Sequence, residues 1–168
     1  FEVHLRKALL NAGKLVDDPS KPRLLLTFKS GREVFMGLAE SNNSAMWPMG
    51  IPRLKFPREA PSRSTLKLEV AWHHFIPRDQ WGERLHGDMT GVDLGAAPGG
   101  WTWQLVNRGM LVSAIDNGPM AESLMDTGLV QHLMADGFTF VPKQPVDWMV
   151  CDIVEKPARN AAVLETSI

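Results

Sequence analysis

The sequence predicts an α/β fold: a parallel sheet with helices on both faces, in a Rossmann-like arrangement. Three observations predict it. From residue 62 onward, short apolar runs alternate with segments of helical periodicity. A loop of small residues, Gly95-Ala96-Ala97-Pro98-Gly99-Gly100, separates one such run from a helix. Four apolar runs each contain or precede an aspartate, namely Asp93, Asp116, Asp136 and Asp152, which would gather four acids at one edge of the sheet.

Taken in order, residues 1–11 have apolar side chains at Phe1, Leu5, Ala8 and Leu9, which is helical spacing, and Asn11-Ala12-Gly13 closes the segment. Residues 23–28 and 33–38 read as two strands, with Lys29-Ser30-Gly31-Arg32 as the hairpin turn. A helix and a hairpin bury little core, so residues 1–45 read as the last part of a separate α+β domain. Residues 46–61 hold four prolines, which forbid a helix or a central strand and mark a linker. Residues 62–168 form the main domain.

Within it, 62–75 is predicted helical, with Leu68, Ala71, Trp72 and Phe75 as the apolar stripe. Strands are predicted at 90–94, 111–115, 129–134 and 146–151, and helices at 99–108, 119–125 and 158–164. Gly109 ends the second helix. Residues 146–151 are apolar on both faces, as in an interior parallel strand.

Composition narrows the function classes. The chain has 168 residues, 44% hydrophobic and 22% charged, enough for one domain plus part of another. Its net charge of -1 selects no partner, so nucleic-acid binding would require a local basic patch. A single cysteine, Cys151, excludes a disulfide within the chain and a Cys-rich zinc site, and suits a cytoplasmic protein. No apolar run is long enough for a membrane span. The chain starts without an initiator methionine or a signal-peptide pattern and stops without a helix-ending signal. It reads as a C-terminally truncated piece of a longer protein.

The richest chemistry lies in Val92-Asp93-Leu94-Gly95-Ala96-Ala97-Pro98-Gly99-Gly100-Trp101. Small side chains let a ligand approach the backbone, and the following helix offers free N–H groups. The pattern is not the G-x-G-x-x-G dinucleotide fingerprint, because Asp93 precedes the first glycine and a proline interrupts the loop. That argues against a nicotinamide oxidoreductase. A negative charge there suits a cationic ligand such as S-adenosylmethionine, which carries a sulfonium, an amino group and no phosphate. Asp116, about 20 residues on, is placed to accept both ribose hydroxyls of a nucleoside. Asp136, in Asp136-Gly137-Phe138, could accept from an adenine amino group; alone it reads as a turn. Ser64 to Lys67 matches S-x-x-K, but the companion motifs of serine acyl-transfer enzymes are absent, which favours a serine helix cap and a solvated lysine. His73 and His74 point apart on a helix and suggest no metal, and Cys151 in an apolar strand suggests burial rather than reactivity.

Together these blocks resemble the FtsJ-like RNA ribose methyltransferases, and in particular those members that carry a THUMP domain. The resemblance is carried by the Asp93–Trp101 loop, by 113–120 and by Trp148-Met149-Val150-Cys151-Asp152-Ile153-Val154-Glu155-Lys156-Pro157. It extends to 49–57 and 60–69, and so to nearly the whole chain. It implies a Rossmann-like methyltransferase domain preceded by a THUMP-like RNA-binding domain, whose end would be residues 1–45. It implies S-adenosylmethionine as methyl donor and the ribose 2′-hydroxyl of a cytidine in 23S rRNA as acceptor, in a monomeric protein without a metal. Donor contacts are implied for Ser64, Asp93, Gly95, Ala97, Pro98, Gly99, Gly100, Trp101, Asp116, Asp136 and Asp152. The family's catalytic set is Lys-Asp-Lys-Glu; Lys67 matches the first and Asp152 the second. The third and fourth would lie beyond Ile168, so the chain alone is expected to be inactive. The alternative is a non-catalytic RNA-binding module on the same fold. Arg53, Lys55, Arg58, Arg63 and Lys67, with Trp47 and Phe56, are expected to face RNA.

Overall fold

A computed structural model describes residues 2–45, 47, 50–156, 158 and 159. The remainder of the helix expected at 158–164 lies outside the described residues, as do Phe1, Met46, Pro48 and Met49 of the N-terminal part and linker. The chain divides into two compact units, Phe1–Arg53 and Leu54–Ile168, with the division inside the proline-rich segment.

In the first unit, helix α1 spans Glu2–Asn11, and strands β1 (Arg23–Phe28) and β2 (Val34–Ala39) pair antiparallel. The second strand starts one residue later than its pattern suggests, because the Glu33 carbonyl closes the turn by accepting the Lys29 N–H at 3.0 Å. Strand alternation places Leu24, Leu26 and Phe28 on one face with Val34, Met36 and Leu38 opposite them.

The second unit holds helices α2 (Thr65–Phe75), α3 (Trp81–Arg84), α4 (Gly100–Val106) and α5 (Glu122–Met125), and strands β3 (Thr90–Leu94), β4 (Leu111–Ile115), β5 (Val130–Leu133) and β6 (Trp148–Cys151). All strand pairs are parallel, in the order β5-β4-β3-β6. The parallel sheet and its covering helices form the Rossmann-like arrangement that strand–helix alternation predicts. Chain order runs outward from β3 to β5 and then crosses back to place β6 on the other side of β3. That reversal opens a crevice above β3 and β6, where ligands of such sheets bind.

The two faces are filled differently. Val112, Ala114 and Val150 point to the face covered by α2, α4 and α5, and meet Leu68, Trp72, Leu105 and Leu124. Val92, Leu94 and Ile115 point to the other, which among the described residues is packed by Phe138, Phe140, Val146 and Ile153 rather than by a helix. Gly91 lets α4 settle on the sheet: a Cβ there would stand 3.0 Å from Leu105 Cδ1.

Helix α2 begins three residues later than its periodicity suggests, because Ser62 and Ser64 form a turn of their own. Its inner stripe is Thr65, Leu68 and Trp72, continued by Ile76. Phe75, expected in that stripe, is 84% exposed, since the four-residue step from Leu68 to Trp72 to Ile76 turns it outward. The missed segment after α2 builds a second cluster. His73 packs on Trp81 with ring centroids 4.8 Å apart, and the Arg108 guanidinium lies 5.0 Å from both Trp72 and Trp81. Burial lowers the affinity of His73 for a proton, and nearby Arg78 adds to the effect.

Candidate active site

Seven of the residues singled out by the sequence line one cleft of about 180 Å³ at the carboxyl ends of β3 and β6: Ser64, Asp93, Gly95, Ala97, Pro98, Trp101 and Asp152. Ser62 and Ala96 complete the lining. Gly99 and Gly100 stand directly behind it, and each has a steric reason to be glycine. Gly99 has φ 112°, and a Cβ on it would run into Leu124 Cδ1. A Cβ on Gly100 would collide with Ser64 Oγ.

The start of α2 is tied down onto α4. Thr65 Oγ1 donates to the Gly100 carbonyl at 2.9 Å, and Trp101 Nε1 donates to the Ser64 carbonyl at 2.9 Å. Gln104 Nε2 donates to the Thr65 carbonyl and to Glu69, both at 3.2 Å. Ser64 caps no helix N–H with its side chain; its hydroxyl donates to Ser62 Oγ at 3.1 Å. Ser64 therefore stands at the cleft with a hydroxyl oxygen that can still accept.

Asp116 sets the floor of the small-residue loop. Its two carboxylate oxygens accept the backbone N–H of Ala97 at 3.0 Å and of Gly118 at 2.7 Å. Each oxygen keeps a lone pair for a ligand hydroxyl. Asp116 is not among the residues that line the cleft. Asp136 lies elsewhere again: its Oδ1 accepts the Phe138 N–H at 2.9 Å, forming a turn, and the Phe138 ring carries Arg159 at 4.1 Å. The four acids thus divide into two at the cleft, Asp93 and Asp152, and two that order neighbouring turns.

Asp93 is 1% exposed and lies on the helix-covered face of β3. Thr102 Oγ1 donates to its Oδ2 at 2.7 Å, while its Oδ1 is buried without a hydrogen-bond partner. Burial pushes its pKa up to about 7, against the Thr102 hydrogen bonds, and the negative charges of Asp152 and Asp116 push the same way. An orphaned carboxylate oxygen at a cleft is a ready acceptor for a cationic donor. Thr102 was not legible as a site residue; its only signal is that it stands in the first turn of the helix following a buried acid.

At the rim, Lys67 Nζ donates to both oxygens of Asp152, at 2.8 and 2.9 Å. The lysine side chain is 62% exposed and the carboxylate 29%. The pair is thus open to a large substrate on one side while Asp152 faces the cleft on the other. Among the described residues no group of His, Cys, Asp and Glu could hold a metal ion, and no helix is long and apolar enough to cross a membrane.

A crevice at a strand-order reversal, a small-residue loop, an orphaned acid and a lysine–aspartate pair thus meet at one edge of a sheet of the Rossmann-like methyltransferase class. The chain belongs to the FtsJ-like methyltransferase family, which it matches over residues 60–166. Members of this family depend on S-adenosylmethionine. The chain is 96% identical over 168 residues to the ribosomal RNA large subunit methyltransferase M of Pseudomonas fluorescens strain SBW25, covering all of this chain and 47% of that protein. It is 89% identical to the protein of that name in Pseudomonas fluorescens strain Pf-5, with the same coverage of both chains. With that of Pseudomonas putida strain W619 the identity is 81%, over 99% of this chain and 47% of the relative. The chain spans about half the length of these curated relatives.

Proposed function

We propose that the full-length protein to which this chain belongs methylates the ribose 2′-hydroxyl of a cytidine in 23S rRNA, with S-adenosylmethionine as donor, acting in the cytoplasm as a monomer. The observation that carries this reading is that one cleft is lined both by Asp152, which holds Lys67, and by Asp93, whose Oδ1 is orphaned.

The residues fit the donor. Asp93 accepts from its ammonium group, Ser64 from a second donor atom, and the Gly95–Gly100 loop lies against it without side chains in the way. Asp116 takes the ribose hydroxyls while still holding the loop, and Asp136 lies toward the adenine. S-adenosylmethionine supplies an electrophilic methyl on a sulfonium. The protein positions the attacking oxygen and eases loss of its proton. Lys67, held by Asp152, places a positive charge where the 2′-oxygen becomes anionic. Residues 1–45 are assigned as the end of a THUMP-like domain that holds the RNA.

The test is tritiated-methyl transfer to unmodified 23S rRNA by the full-length protein, with calorimetry of donor binding. Lys67→Met is expected to abolish transfer while leaving donor affinity within about twofold. Transfer at the wild-type rate would refute the assignment, and modification of a base would refute the ribose part of it.

A further inference from the structure

Thr102 is fully buried in the first turn of α4, and its hydroxyl is not spent on its own helix. A threonine in a helix commonly donates back to a carbonyl three or four residues earlier. Here those carbonyls, of Gly99 and Pro98, accept from the N–H groups of Trp103 and Ala121, at 2.8 and 3.0 Å. The Thr102 hydroxyl reaches instead to β3 and donates to Asp93 Oδ2 at 2.7 Å, within the range of a charge-assisted bond. Oδ1 of the same carboxylate keeps no partner among the described residues.

The charged and titratable groups on the elements packed round Asp93 do not replace that bond. Over Gly100–Val106, α4 has no charged side chain. On β6 stand Cys151, whose thiol burial pushes up, and next to it Asp152; Asp116 follows β4. From α2 come Lys67, which Asp152 holds, and Glu69, which accepts from Gln104. Burial and the two neighbouring acids work against the Asp93 anion. The Thr102 N–H favours it, but any residue there other than proline would supply that N–H. The hydroxyl is what the threonine side chain adds.

We propose that Thr102 is a positioning residue for the methyl donor: its hydroxyl holds Oδ2 of Asp93, which fixes the carboxylate as an anion and leaves Oδ1 to accept the donor's ammonium group. This rests on the role given to Asp93 in the function proposed above. A donating hydroxyl suits an ionised carboxylate, which only accepts, better than a carboxylic acid, which brings a proton of its own.

The test is calorimetry of S-adenosylhomocysteine, the demethylated donor, on full-length wild type, Thr102→Val and Thr102→Ser between pH 6 and 9. Loss of one charge-assisted bond is expected to move the pH midpoint of binding up by about one unit in Thr102→Val. Its affinity should therefore be about tenfold below wild type at pH 6 and within about twofold at pH 9. Taking the ratio to wild type cancels the ligand's own amino group, which titrates near pH 8. Thr102→Ser restores the hydroxyl and is expected to follow the wild-type profile. Thr102→Ala, which removes the methyl as well, should shift the midpoint as Thr102→Val does. In an Asp93→Asn background, Thr102→Val is expected to change affinity no further at any pH. A loss of equal size at every pH, a loss that survives in the Asp93→Asn background, or a Thr102→Ser that behaves like Thr102→Val makes Thr102 a packing residue and overturns the proposal. A wild type that binds with a flat profile removes Asp93 from the ligand and this inference with it. A wild type that binds no S-adenosylhomocysteine removes the donor site itself.

Discussion

Lys67 and Asp152, 85 residues apart in sequence, are joined through both carboxylate oxygens at 2.8 and 2.9 Å. The lysine is mostly exposed, so the pair contributes little to stability, on the order of 0–1 kcal/mol. Its effect should therefore be visible in chemistry and nearly invisible in folding. Asp152→Asn is expected to shift Tm by no more than a degree or two and to lower kcat at least a hundredfold. Thermal unfolding and transfer assays on the same preparation check both; a large Tm loss would make the pair structural.

Asp93 predicts a pH dependence. Its carboxyl pKa is raised to about 7 by burial, so near neutrality a good part of the empty sites carry a proton there. A cationic donor binds the ionised form, so donor affinity is expected to rise with pH up to about 7.5 and then level off, with uptake of donor releasing a proton. The stability linkage has the opposite sense. A folded-state pKa above the unfolded value stabilises the fold at low pH, and this stabilisation is lost as pH climbs from the usual carboxylate range through about 7. Asp93→Asn should lose donor affinity at all pH values but hold its Tm better than the wild type above pH 7. Calorimetry in buffers of different ionisation enthalpy counts the proton; a flat profile would place the donor away from Asp93.

Asp116 holds the loop and its own turn through two backbone N–H groups, and the proposed function gives it the donor's ribose hydroxyls as well. Removing it frees the N–H groups of Ala97 and Gly118 and takes away the acceptor for two hydroxyls. Asp116→Ala is expected to weaken donor binding by about 1–3 kcal/mol. Asp116→Asn, which keeps one acceptor oxygen, should lie between it and the wild type. Unchanged calorimetric affinity in both variants would remove Asp116 from the ligand site.

The two glycines behind the cleft should fail differently. Gly99→Ala introduces both a left-handed strain and a clash with Leu124, a 1% exposed core residue, and is expected to destabilise by a few kcal/mol. Gly100→Ala meets Ser64 Oγ, with the Thr65 backbone N only 3.2 Å away, so it can be relieved only by shifting the start of α2 and should cost donor affinity as well as stability. Urea unfolding together with donor titration separates the two.

Lys55, Arg58 and Arg63 are exposed, with Phe56 half-buried among them. Neutralising the three together is expected to reduce the slope of log affinity against log salt by about 2 for single-stranded RNA. A wild-type slope would make them a solvated linker.

How far the sequence reaches differs from part to part. Strands β3 and β4 were legible to the residue because Gly95 and Asp116 punctuate them sharply. The ends of β5 and β6 were not, because Leu129 and Val146 are apolar for packing reasons while their backbones already turn. Gly95, Ala97 and Pro98, with Asp93 and Trp101 flanking them, were legible because a small-residue loop has few other uses, whereas Asp152 stood out as an acid ending a strand and Ser64, locally a helix cap, came only from the family resemblance. What stayed hidden was what fixes them: Thr102 under Asp93, Trp101 and Gln104 pinning α2, and the Ala97 N–H held by Asp116. Those are contacts between segments, and a chain read locally holds no signal for them. Phe75 went astray for a related reason, since a helical stripe is a band and only the neighbouring core decides which edge of it is buried.

The crossover that returns the chain from β5 to β6 also sets an order of assembly on the ribosome. The loop around Gly95 and its anchor Asp116 are complete once β4 has emerged, whereas Asp152 arrives only after β6. At roughly 5–20 residues per second, synthesis leaves an interval of a few seconds between the two. A nascent chain therefore completes the loop and its Asp116 anchor before it completes the Lys67–Asp152 pair, and Lys67, made long before, waits without its counter-charge until β6 joins β3.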